Sequence, residues 1–221
     1  HALPGTFTGQ VADFGAGAGA AGFAVAARLA GAHVALVERE PEMAACAARS
    51  IALPANADFA GRVRLLLADV TLSGAPRRAA GLADRAFDFV VMNPPFNDAR
   101  DRAATGALRR AAHVAPPALF VPWLRSAAAV LRPGGGVAVI ARPEQIGTIL
   151  AAADGRFGGL EILPVHPAPD LAAIRIVVRG RRGSRARPVI APPLVLHERP
   201  GGPTSARAEA IGAGEAGLFG D

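Results

Sequence analysis

Lysine and tyrosine are missing from this 221-residue chain, and cysteine and tryptophan occur once each. All 24 basic side chains are therefore arginines, set against 18 acidic ones, for a net charge of +6. Guanidinium groups do not titrate below about pH 12. The isoelectric point near 11.3 partly reflects that, and the balance is compatible with a nucleic-acid partner. The lone Cys46 excludes an internal disulfide and a cysteine-based zinc site. It reads as a small buried helical residue and fits a reducing, cytosolic compartment. No apolar run approaches the 18 or more residues of a membrane span, and no signal peptide is visible. The chain opens on His1 rather than Met, so we expect a native N-terminal segment to precede it.

What is present suits one folded domain over 1–221. Hydrophobic residues make up 51% and the mean hydropathy is +0.30, which argues against disorder. Strand and helix alternate over the first 150 or so residues. The pattern predicts strands at Gln10–Phe14, His33–Val37, Arg62–Ala68, Phe87–Met92 and Val137–Ala141. Helices are predicted at Ala20–Leu29, Pro41–Ile51, Ala118–Leu131 and Glu144–Ala153, the third stopped by Arg132-Pro133-Gly134-Gly135-Gly136. This is a doubly wound α/β pattern. Two further strands, Leu160–Val165 and Ala172–Val178, have no helix between them and imply an antiparallel hairpin at the sheet's C-terminal edge. The expectation is a Rossmann-like, mostly parallel sheet of seven strands. The tail adds a short strand at Leu194–His197 and a short helix near Ala206–Ile211. Thr71–Asp84 and Asn97–Pro117 read as long irregular segments, which in compact domains usually serve function.

The turn after the first strand is DFGAGAGAAG, Asp13 to Gly22. Its glycines, among them Gly15, Gly17 and Gly19, let the backbone turn tightly and approach a ligand closely. Glu38 ends the second strand, followed by Arg39, where an acidic group can bond both hydroxyls of a ribose. These features fit NAD and S-adenosylmethionine alike. Asp13 would face the anionic pyrophosphate of NAD but suits an ammonium group. Asp69 ends the third strand, where its carboxylate can accept from an adenine amine while the Val70 N–H donates to the ring. The plainer alternative for Asp69 is a turn cap, in Asp-x-Thr.

The fourth strand runs straight into Asn93-Pro94-Pro95-Phe96. Neither proline has a backbone N–H and each has a fixed φ, so the turn is stiff. An amide acceptor, a fixed carbonyl and a flat ring at a strand's carboxyl end suit a planar molecule bearing an NH₂ group. The alternative is a rigid turn with Phe96 tucked into the core.

DFGAGAGAAG, VERE, LADV and VMNPPF, in that order and spacing, resemble class I methyltransferases acting on amino groups. The particular resemblance is to the bacterial tRNA adenine-N6 methyltransferases that modify valine tRNA, in the methyltransferase small group. LPVHPAPDLAAIRIVVRGRRG and PPLVLHERPGG resemble that family's closing hairpin and last strand. Phe96 stands where members often have Tyr, and Pro203 where they often have an aromatic residue. The resemblance implies S-adenosylmethionine held by Asp13, Gly15, Gly17, Gly19, Glu38, Arg39, Asp69, Val70 and Asn93. It implies catalysis by Asn93, Pro94, Pro95 and Phe96 with no metal. Asn93 and the Pro94 carbonyl would take the two amine hydrogens while Phe96 stacks on the base. Two arginine groups are candidates for RNA contact: Arg100, Arg102, Arg109 and Arg110, and Arg179, Arg181, Arg182, Arg185 and Arg187. A solvated surface is the alternative for both. His113 and His166 read as structural.

Guanine N2 of ribosomal RNA, a protein glutamine amide and small-molecule amines remain open as acceptors. From other classes, a nicotinamide oxidoreductase fits the glycines and Glu38. It does not fit Asp13 or the Asn-Pro-Pro-Phe turn, and with no Tyr or Lys the chain has no Tyr-x-x-x-Lys pair. A catalytically silent RNA-binding protein is disfavoured by that intact turn.

Overall fold

The computed structural model describes residues 1–94 and 119–220. Its centre is one sheet of nine strands: β1 (Gly9–Phe14), β2 (Ala32–Glu38), β3 (Val63–Leu67), β4 (Phe87–Met92), β5 (Leu131–Ala141), β6 (Phe157–His166), β7 (Arg175–Arg182), β8 (Val189–Ile190) and β9 (Leu194–Val195). The spatial order is β3-β2-β1-β4-β5-β7-β6-β8, with β9 also on β6. β1 to β5 run parallel. β7 runs antiparallel to both β5 and β6. The expected Rossmann-like class and antiparallel hairpin are therefore present, with nine strands in place of seven. The extra pair, β8 and β9, are two-residue strands on β6.

The helices are α1 (Ala20–Arg28), α2 (Pro41–Ile51), α3 (Ala57–Ala60), α4 (Gly74–Ala79), α5 (Phe120–Val130), α6 (Ile146–Ala153) and α7 (Ala206–Gly212). They cover both faces of the sheet. Alternate residues of β1 and β2 separate cleanly: Val11, Val34 and Leu36 pack with Val25 of α1 and Ala47 of α2. Ala12, Phe14, Ala35 and Val37 pack in the other layer with Trp123 and Leu124 of α5 and Ile149 of α6. Burial on both faces is why these strands read as near-continuous apolar runs.

Three local expectations change. Thr71–Asp84 holds a short helix, α4. The Arg77 side chain there is almost fully buried and bonds to Leu82 O and Asp84. This internal clamp has no periodicity to announce it. Second, β5 begins directly after α5 at Leu131, including the Pro-Gly run expected only to stop the helix. Leu131 pairs with Phe87 and Gly136 with Phe89, so β5 bulges between them. Pro133 lies in that bulge, where strands tolerate proline. Third, β7 runs four residues past Val178 to Arg182, which alters the surroundings of its arginines.

Candidate active site

The carboxyl ends of the parallel strands bring the chemistry-bearing residues to one edge, as open α/β sheets do. β1 ends at Phe14, paired with Val37 of β2 and Met92 of β4. Glu38 and Asn93 therefore follow on either side of the glycine turn, each about one strand spacing of 4.8 Å away.

That turn is built from both sides. The N–H groups of Gly15 and Ala16 donate to Val37 O at 2.9 and 3.0 Å. Gly17 N–H donates to Glu38 Oε2 at 2.7 Å, and Gly22 N–H to Asp13 Oδ2 at 2.8 Å. Two carboxylates thus anchor the two ends of one loop. The glycines differ in purpose. Gly15 has φ +67°, and a Cβ would meet the Trp123 ring at 2.6 Å. At Gly17, φ +56°, a Cβ would meet only the Met43 methyl at 3.6 Å. Gly15 is therefore glycine for packing against α5, while Gly17 leaves its outer side open to a ligand.

Glu38 is 8% exposed. Its Oε2 takes Gly17 N–H, and its Oε1 accepts from the N–H groups of Arg39 and Glu40 at 2.8 and 2.9 Å. A carboxylate offers about four lone-pair sites, so three bonds leave room for a further donor such as a ribose hydroxyl. Arg39 itself is exposed and pairs with Glu40 at 2.9 Å.

Asp13 is 1% exposed, beneath the turn. Burial pushes its carboxyl up to about 7; the Gly22 N–H opposes that rise and the nearby Glu38 charge adds to it. Asp69 is half-buried, and its Oδ1 accepts from Thr71 N–H at 2.7 Å. The turn-cap reading of Asp69 is thus realised, on one carboxylate oxygen. Val70 turns its side chain into the core.

At the end of β4, Asn93 is exposed and Pro94 buried. Pro95, Phe96, Arg100, Arg102, Arg109, Arg110 and His113 lie outside the described residues. His166 Nδ1 sits 2.6 Å from Leu171 O and ties the loop between β6 and β7. Trp123 and Met43, which border Gly15 and Gly17, were not singled out from the sequence. The signal for the first was its being the chain's one tryptophan.

The tail arginines divide. Arg179 has a side chain only 12% exposed, bonded to Glu161 at 2.7 Å and stacked over Phe219 at 4.1 Å. It also donates to Ala2 O at 3.2 Å. Arg182 donates to Leu131 O. Arg179 and Arg182 fasten the fold. Arg181, Arg185 and Arg187 are exposed. Arg181 and Arg182, with the loop that carries Arg185 and Arg187, lie toward the amino ends of β4 and β5, because β7 runs antiparallel to β5, while Arg179 pairs with Ala138, level with Val91. Of the five candidates for RNA contact, two are thus held within the fold and three stand exposed.

The pattern of the methyltransferase small domain family matches residues 1–158. A solved structure called a predicted O-methyltransferase, protein Atu636 from Agrobacterium tumefaciens, is 42% identical, with 94% of this chain and 90% of that chain covered and a TM-score of 0.82. Two more distant structures share the fold. One is the tRNA (m1A58) methyltransferase TrmI from Aquifex aeolicus, at 15% identity, 80% and 63% coverage and TM-score 0.54. The other is TrmN from Thermus thermophilus, at 19% identity, 81% and 44% coverage and TM-score 0.54. No curated protein matches the chain at a significant level.

Proposed function

Because the chain belongs to the methyltransferase small domain family, we propose that its acceptor is an exocyclic amino group, and specifically adenine N6 of a tRNA. The enzyme is an S-adenosylmethionine-dependent methyltransferase. The cofactor supplies an electrophilic methyl group on a sulfonium. Everything else in the reaction falls to the chain's own residues.

One observation carries the reading. Asn93 is exposed at the end of β4, adjacent in register to the glycine turn that follows β1. Adenine N6 is a poor nucleophile because its lone pair is delocalised into the ring. Asn93 Oδ1 accepts one amine hydrogen and the Pro94 carbonyl the other, which favours a more pyramidal nitrogen. Phe96, outside the described residues, is the ring proposed for stacking on the base. Gly17 would leave room for S-adenosylmethionine, Glu38 would hold its ribose, Asp13 would favour its ammonium and Asp69 would accept from its adenine amine. The rate then comes from positioning and preorganised dipoles. A hydroxyl acceptor, which the name of the Agrobacterium relative suggests for that protein, calls for a base at this position. A neutral amide is not one.

Three supports favour RNA. The net charge is +6, all of it from arginine. Arg181, Arg185 and Arg187 are exposed. Two fold relatives are named for tRNA (m1A58) methylation and as TrmN. The stretch beyond the family match, 159–221, adds β7, β8 and β9 to the same sheet, so we take 1–221 as one methyltransferase unit. Asn93→Ala tests the reading. Loss of one preorganised group costs on the order of 10²–10³ in rate. We expect that loss in single-turnover transfer to unmodified tRNA at saturating S-adenosylmethionine, with the melting temperature kept. A wild-type rate would reduce the turn to a rigid corner.

A further inference from the structure

We infer that the opposite end of the sheet carries an accessory site for RNA phosphate, formed by Arg132 and Arg181 at a cavity of about 320 Å³; this rests on the RNA reading above. The cavity lies between the N-terminal segment and the sheet. Phe7, Phe89 and the backbone of Gly134–Gly136 line it together with Asp88 and Glu161. Ligands of open α/β sheets bind at the carboxyl ends of the strands. A cavity at the amino ends is therefore separate from the transfer site.

Its charges are arranged unequally. Asp88 is committed to Arg132 and to Gln10 N–H. Glu161 is committed to Arg179, which Phe219 and Ala2 also hold. Two carboxylates are thus matched by two guanidiniums, and Arg181 is left in excess. Arg132 directs one N–H at Asp88 and is half-exposed, so it keeps further donors, since a guanidinium has five. Arg181 pairs across the sheet with Gly136, which has no side chain to fill the mouth between the two arginines. A Cβ at Gly136 would meet the Phe89 ring at 2.3 Å, so the mouth stays open. Arg185 and Arg187 extend the positive surface along the loop that follows β7. Planar guanidinium forks over exposed glycine backbone suit a phosphodiester.

The placement constrains the substrate. Arg181 is level with Phe89, through Gly136. Asn93 is four residues further on, roughly 13 Å along the strand, and two strand spacings across. A nucleotide held at Asn93 does not reach this site. A longer RNA can, so the accessory site selects a polynucleotide over a free nucleoside or a dinucleotide.

The test compares wild type, Arg181→Glu and the milder Arg181→Gln on unmodified tRNA and on a dinucleotide carrying the target adenine, which is too short to span the two sites. Binding is read by fluorescence anisotropy across a salt series, and transfer by KM and kcat. Arg181→Glu should weaken tRNA binding about tenfold, with the loss in KM. The salt slope should fall by about 0.7–0.9 for the lost phosphate contact. Dinucleotide binding should not change, and Arg181→Gln should fall between. Adding ribose 5-phosphate, which carries no adenine, should not displace tRNA from wild type; displacement would identify a small-phosphate site instead and overturn the proposal. Unchanged tRNA affinity in Arg181→Glu, with wild type binding and methylating tRNA, would overturn the accessory site alone. A wild type that neither binds nor methylates RNA would overturn the RNA reading and this inference together.

Discussion

Replacing Asp13 by Asn should remove a pH dependence that the fold itself creates. The carboxyl is pushed from 3.8 to about 7, mainly by burial. The native state therefore holds a proton that the unfolded chain has released between those values. The contribution to stability is full below about pH 4, falls as pH rises, and is gone above about 7. A gap of that size corresponds to roughly 4 kcal/mol in all, at 1.36 kcal/mol per tenfold change. About two of its three decades fall between pH 5 and pH 8, so on the order of 3 kcal/mol is lost across that range. For a chain of this length that is about 5–10 °C in Tm. An Asn side-chain oxygen can still accept the Gly22 N–H that Asp13 accepts at 2.8 Å, so the turn should survive. Thermal melts of both proteins from pH 5 to pH 8 cancel every other titrating group in their difference. Wild type should lose that much relative to Asp13→Asn. Saturating S-adenosylhomocysteine should flatten the wild-type curve, because an ammonium near Asp13 favours its ionised form. Parallel curves for the two proteins would refute the buried-proton argument.

Glu38→Ala removes three acceptor contacts to the N–H groups of Gly17, Arg39 and Glu40. It should lower Tm as well as cofactor affinity, with less than the full penalty of about 1–3 kcal/mol for a buried unsatisfied N–H at each, because Arg39 and Glu40 are exposed and water can replace the lost acceptor. Glu38→Gln should keep more of the stability than of the affinity. Melts and titration calorimetry with S-adenosylhomocysteine would separate the two effects. Gly15→Ala and Gly17→Ala both place a side chain in a left-handed conformation, but Gly15→Ala should destabilise more, because only it also drives a methyl group into Trp123, and Gly17→Ala should weaken cofactor binding beyond its effect on Tm. The reverse pattern would show that the two glycines have been misassigned. Trp123→Ala should cost about 3–5 kcal/mol as a buried aromatic truncation, measurable by urea unfolding.

The strands and their carboxyl ends were legible because a parallel sheet writes them as short apolar runs ending in functional residues. Pro41–Ile51 and Phe87–Met92 match the expectation residue for residue. Glu38 and Asn93 fell on the right edge for the same reason. Contacts between distant segments were not legible. Nothing near Trp123 in sequence says that its ring lies against Gly15. Nothing near Arg77 says that its guanidinium is buried. The division of the arginine run was not legible because β7 was expected to end at Val178. Once β7 reaches Arg182, strand alternation sets Arg179 and Arg181 on the face opposite Arg182, and packing against Glu161 and Phe219 then takes Arg179 out of solvent. The β5 bulge was hidden for a related reason. Pro-Gly-Gly-Gly reads locally as a breaker, and only its pairing with Phe87 and Phe89 makes it strand.

The most direct measurement is the identity of the methylated atom. Tritium-labelled S-adenosylmethionine, the purified protein and tRNA from a strain deleted for the enzyme should yield one labelled nucleoside after digestion. The account predicts N6-methyladenosine, with the label lost in Asn93→Ala. Label on a ribose oxygen, on another hydroxyl-bearing acceptor or on no amino group at all would contradict it.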